Sequence, residues 1–82
     1  MPAIAMEIVK SVRARSDFHL EIEFENNEVR VFDARPYLEK GTFRQIKDPA
    51  RFMQAYVAFD TVCWPGNLDI APETLYDRSR PR

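Results

Sequence analysis

The sequence predicts a small α+β domain: two layers, an antiparallel β-sheet of about five strands that opens with an N-terminal meander, and short helices on one face. Three observations predict it. Residues 18–24 alternate apolar and polar, with Phe18, Leu20, Ile22 and Phe24 on one side, which is the period of a strand buried on one face. Asp48-Pro49 and Pro72-Glu73 carry helix-start chemistry, a capping carboxylate or a proline preset for the first turn. The chain has 82 residues and 9.6 kDa, the size of one domain. That domain is assigned to residues 1–77, followed by a basic tail, 78–82, expected to fray.

The first strand is read from Ile8 to Ala14, rich in β-branched residues and closed by the polar Arg15-Ser16-Asp17. The second is Phe18–Phe24. Asn26-Asn27 then offers a two-residue turn, because Asn tolerates positive φ. That turn places Phe24 opposite Val29, Ile22 opposite Val31 and Glu23 opposite Arg30, and leaves Phe32 on the polar face, where a bulge or a covering element must receive it. Pro36–Glu39 suits one helical turn stopped at Gly41, and Thr42–Ile46 reads as a short extended piece. Asp48-Pro49 starts a helix that Phe52 and Met53 anchor to the sheet. Two further strands surround Asp60-Thr61. Pro65-Gly66 fits the centre of a type II turn. The last helix begins at Pro72, with Glu73 at the positive end of its dipole, and Leu68, Ile70, Leu75 and Tyr76 pack back on the core.

Composition excludes several function classes. A chain this short buries only about 60% of its unfolded surface, which leaves no room for a separate cofactor domain. Cys63 is the single cysteine and His19 the single histidine, so neither an internal disulfide nor zinc-ligand spacing is present. The start of the chain, Met1–Glu7, lacks the pattern of a secretory signal, and no apolar run reaches the roughly 18 residues of a membrane helix. The expected setting is cytoplasmic, with no membrane contact and no cofactor. The net charge of −1 hides an asymmetry. Residues 17–39 hold seven acids and two bases, and residues 78–82 hold three arginines and no acid.

The order of landmarks resembles a known family. Leu20-Glu21-Ile22-Glu23-Phe24, Asp33, Asp48-Pro49-Ala50-Arg51-Phe52 and the run from Trp64-Pro65-Gly66-Asn67-Leu68 to Leu75-Tyr76 are similar to domain-of-unknown-function family 2442, a group of small bacterial proteins. The likeness spans roughly residues 7–77, a domain-sized unit. It implies a two-layer α+β fold and no particular activity. Some relatives carry a helix-turn-helix after this domain, which implies regulation. Family genes that adjoin another small gene imply a two-protein, toxin–antitoxin-like arrangement.

Each chemical candidate has a plainer structural reading. His19, on the polar face with Glu21, has the residue type of a general base, or is an exposed strand residue. Cys63, between Val62 and Trp64, reads as a buried inert thiol. Asp33, Asp48, Asp60, Asp69 and Glu73 do not form a cation-binding loop, and no metal site is assigned. The candidate interaction surface is Trp64, Pro65, Asn67, Asp69 and Tyr76, aromatics beside a rigid turn, together with the acidic strand face of Glu21 and Glu23. For Trp64 the alternative is closure of the core. The functional expectation is a non-catalytic protein-interaction or regulatory module. Its partner is a neighbouring gene product or a second copy in a homodimer. The alternatives are weak nucleic-acid binding through the arginine tail or a dimer surface, or a transcription-accessory role, and a minimal enzyme using His19; no clustered basic face is expected to bring nucleic acid to the folded surface.

Overall fold

Hydrophobic alternation places the inner strands, and turn chemistry sets how they pair. The computed structural model describes residues 7–82; Met1–Met6, on which the signal-peptide reading falls, lie outside the described residues. Strands β1 (Val9–Ala14), β2 (His19–Phe24) and β3 (Val29–Asp33) form the expected meander. Two 3₁₀ segments, Arg35–Tyr37 and Gly41–Lys47, and helix α1 (Pro49–Phe52) follow. Then come β4 (Tyr56–Ala58), β5 (Thr61–Trp64), β6 (Leu68–Ile70), helix α2 (Pro72–Asp77) and β7 (Ser79–Pro81). The α+β class and the antiparallel pairing hold. The strands divide between two sheets, one ordered β1-β2-β3-β7 and one ordered β4-β5-β6, rather than forming a single sheet of about five.

The β2–β3 register differs by one residue from the two-residue-turn expectation. Glu23 lies opposite Val29, Ile22 opposite Arg30 and Leu20 opposite Phe32. The loop has three residues. Asn27 N–H bonds Phe24 C=O and Phe24 N–H bonds Glu28 C=O, both at 2.9 Å. Asn27 stands at φ 71°, the left-handed conformation that Asn tolerates. Asn26 Oδ1 accepts the Glu28 N–H at 2.9 Å. A one-residue slip moves every side chain to the other face. Phe32 therefore enters the core, and Val29 and Val31 join Glu21 and Glu23 outside.

The β1–β2 turn repeats this construction. Phe18 N–H bonds Arg15 C=O, Arg15 N–H bonds His19 C=O, and Asp17 Oδ1 accepts the His19 N–H. Phe18 occupies the left-handed position at φ 65°. It thereby leaves the strand and turns its ring onto Phe52, 5.1 Å away and edge-on.

The core lies between the two sheets. Leu20, Ile22, Phe24 and Phe32 come from the first sheet, Val62, Trp64, Leu68 and Ile70 from the second, with Phe52 and Leu75 supplied by the helices. Each large side chain fully buried in this way contributes roughly 1.5–3 kcal/mol. All four residues of β5 are buried, which explains its unbroken apolar run. Trp64 is 0% exposed, and its Nε1 donates to Phe52 C=O at 2.9 Å, tying β5 to α1.

Three local expectations are corrected. Thr42–Ile46 lies within a 3₁₀ segment, with Ile46 buried. Asp48 does cap α1, accepting the Ala50 N–H at 3.0 Å, but of the two anchors only Phe52 is buried and Met53 faces solvent. The tail 78–82 is not frayed: β7 pairs with β3, Arg80 opposite Val31 and Ser79 opposite Phe32. Arg30 fixes it, donating to Ser79 Oγ at 2.7 Å and to Ser79 C=O at 2.8 Å. Arg82 N–H bonds Val29 C=O, so the groups of Pro81 point away from β3. A proline there has no N–H to offer a further strand, and this edge is closed.

Asn27→Ala is expected to lower stability by about 1 kcal/mol in urea denaturation, because alanine resists left-handed backbone, whereas Asn27→Gly retains it. Trp64→Phe is expected to cost about 2–4 kcal/mol, from a cavity and an unpaired Phe52 carbonyl.

Candidate interaction surfaces

The residues assigned from sequence fall in three separate places. Trp64 is wholly inside the core, so the exposed part of its segment is Pro65, Asn67 and Asp69. Gly66 at φ 98° and Asn67 at φ 64° make the bend. A cleft of about 250 Å³ lies beside it, lined by Gln45, Ile46, Arg51, Gln54, Trp64 and Pro65. Tyr76 is elsewhere, in α2, packed against the β2–β3 hairpin. Its ring meets Phe24 edge-on at 5.1 Å, Arg30 stacks over it at 4.5 Å, and its hydroxyl donates to Glu28 at 2.6 Å. That hydrogen bond, followed by the one from Arg30, holds the Glu28 carboxyl below the usual carboxylate range, and it raises the Tyr76 hydroxyl.

Glu21 and Glu23 do not form a bare acidic face. Glu21 is mostly covered and lies 3.4–3.5 Å from Arg13, Arg15 and Arg82. Glu23 meets Lys10 at 3.6 Å. Glu21 and Glu23 receive their counter-charges from β1, its following turn and the far end of the chain, whereas Glu28, Asp33 and Glu39 pair with Arg30, Arg35 and Lys47.

His19 Nδ1 lies 3.1 Å from Asp17 C=O, and its Nε2 lies 3.9 Å from Asp33. Asp33 is gripped by Arg35, whose Nε and Nη2 donate at 2.9 and 2.8 Å. These bonds are the main cause that lowers its pKa to about 2. Cys63 is buried, and burial, with the Asp69 charge second, raises its thiol pKa. The five carboxylates considered for a cation are dispersed: Asp33 and Asp69 lie in β3 and β6, Asp48 caps α1, Asp60 is in the β4–β5 turn and Glu73 is in the first turn of α2. Among the described residues no group of three metal-ligating side chains converges.

Sequence reasoning misses the most exposed apolar surface among the described residues. β4 and β5 are joined by Phe59-Asp60, with φ of 53° and 64°, the two-residue turn that suits a twisted hairpin. Phe59 is 90% exposed at its tip. Tyr56, Val57 and Met53 beside it are also exposed, and Gln54–Phe59 contains no charged residue. The signal in the sequence was the absence of Gly or Asn before Asp60. Asp60-Thr61 reads as the turn and Phe59 as the end of the strand before it.

The fold and these surfaces define a small two-sheet α+β domain that presents surfaces rather than a deep cavity. The chain belongs to the family described as protein of unknown function (DUF2442), whose model matches residues 9–81. No curated protein and no solved structure matches it significantly. No helix among the described residues is long and apolar enough to cross a membrane.

The Asp33 pair predicts acid sensitivity. Between about pH 4 and pH 2 the unfolded chain binds a proton there that the folded chain excludes. The stability from this pair is therefore present above that window and lost as pH falls through it. Urea midpoints measured from neutral pH downwards are expected to drop in this window, and less steeply in Asp33→Asn.

Proposed function

We propose that the chain is a non-catalytic protein-interaction module of a regulatory kind, acting through the apolar β4–β5 hairpin. The observation that carries this reading is Phe59. A bulky aromatic at positive φ is strained by about 1–3 kcal/mol, and here it also gains nothing from burial, being 90% exposed. Strain and exposure together are offset when a partner covers the ring. Met53, Tyr56 and Val57 widen the contact, and aromatic side chains are frequent anchors at interfaces. The partner is a protein with an apolar recess, the product of a neighbouring gene or a second copy of this chain. The family assignment names no activity that competes with this reading.

Size-exclusion chromatography with light scattering, on the chain alone and co-expressed with the neighbouring gene product, tests it. A homodimer or a heterocomplex is expected, lost in Phe59→Asn. Asn accepts positive φ, so the same variant is expected to equal or exceed the parent in thermal stability. A monomer that elutes apart from the neighbouring product at micromolar concentration, or association unchanged in Phe59→Asn, would overturn the reading.

A further inference from the structure

The outer face of the first sheet is a second surface with different chemistry. Its register draws one row across all four strands: Arg13 opposite Glu21, Glu21 opposite Val31, Val31 opposite Arg80. In the next row Ser11 faces Glu23, Glu23 faces Val29, and Arg82 N–H bonds Val29 C=O. On the other side Arg15 bonds His19, which faces Asp33. Arginines therefore stand in two columns. Arg13 and Arg15 lie along β1, and Arg80 and Arg82 lie along β7 with Arg78 at its head. Three strand spacings separate the columns by roughly 14 Å, and successive members of a column are about 6.7 Å apart.

Five guanidiniums share this face and its rim with four carboxylates, and those carboxylates are already engaged, Asp17 by Arg15 at 2.6 Å. Glu21 serves three arginines, Glu23 serves Lys10, and Asp33 serves Arg35. Arg78 and Arg80 have no carboxylate partner among the described residues. They border a hollow of about 80 Å³ with His19, Val31 and Asp33. The whole chain carries −1, so the excess negative charge lies on its other surfaces.

We propose that this face binds the phosphodiester backbone of single-stranded nucleic acid. The hollow between Arg78 and Arg80 receives one phosphate, and the neighbouring arginines of the column take the next along the chain. The cations are arginines, whose planar fork meets two phosphate oxygens at once. A regular column at two-residue spacing suits a regularly charged extended polymer better than the irregular charges of an acidic protein. Val29 and Val31, half-buried between the columns, offer apolar contact to sugars and bases. The negative remainder of the molecule repels a polyanion and turns it onto this face.

Fluorescence anisotropy of a labelled single-stranded oligonucleotide, titrated with the full chain at low salt, tests the proposal. Saturable binding is expected, with a log–log salt slope of about −2 to −3 for three or four phosphates. Arg80→Glu and Arg78→Glu are each expected to weaken it by at least about tenfold. Arg51→Glu, on α1 and away from this face, is expected to leave it unchanged; far-UV circular dichroism checks the fold of each variant. No binding at low salt would overturn the proposal, as would equal weakening by Arg51→Glu. Polyglutamate displacing the oligonucleotide at equal charge would overturn it in favour of an acidic protein. Inorganic phosphate displacing it at equal phosphate concentration would reduce the site to one for small anions.

Discussion

Burial of Phe32 selects a three-residue loop closed by Asn27 in left-handed backbone, and that loop sets which side of the first hairpin is the inside. A three-residue loop ending in that residue pairs Leu20 with Phe32 and Ile22 with Arg30; a two-residue loop would send Phe32 outward. With Phe32 inside, the first sheet presents four large apolar side chains to β5 and β6. Arg30 is carried to the same side at the margin of the core, where it stacks on Tyr76 and clamps Ser79. The docking of α2 and β7 thus follows from this register, which brings Arg30 within reach of Tyr76 and Ser79.

The same register distributes charge. Turning Val29 and Val31 outward places them beside Glu21 and Glu23, and β7 then delivers Arg80 and Arg82 to that side. What reads in the sequence as an acidic hairpin and a separate basic tail is in space one mixed face with arginine margins. The apolar hairpin tip belongs to the other sheet, so the two candidate surfaces are carried by different layers. Each can be altered by substitutions at exposed side chains, without entry into the core.

Much of the fold was legible, because alternation in 18–24, the Asp48 cap and the Pro72 start are local signals with direct physical causes. The class and the meander followed from them. Register was not legible. Asn-Asn is compatible with loops of two or three residues, and the deciding preference is the burial of Phe32, a tertiary effect. The pairing of residues 79–81 was hidden for a similar reason: nothing within Ser79-Arg80-Pro81 marks a strand, and its stability comes from Arg30, 49 residues away. Of the candidate surface, Pro65, Asn67 and Asp69 are exposed where the turn chemistry puts them. Trp64 is consumed by the core, and Phe59 escaped notice because an aromatic rarely occupies a turn of that kind.

The pairing of β3 with β7 also shapes how the molecule folds. The β1–β2–β3 meander closes through short loops and needs little chain entropy, whereas β7 reaches β3 only after the whole second sheet and α2 have intervened. Loop closure of that length is slow relative to hairpin formation. Without β7 the meander would leave this edge of β3 unpaired and open to another chain, the arrangement in which small β-proteins aggregate. Closing that edge is the task of the last strand, and Arg30 holds it there through Ser79.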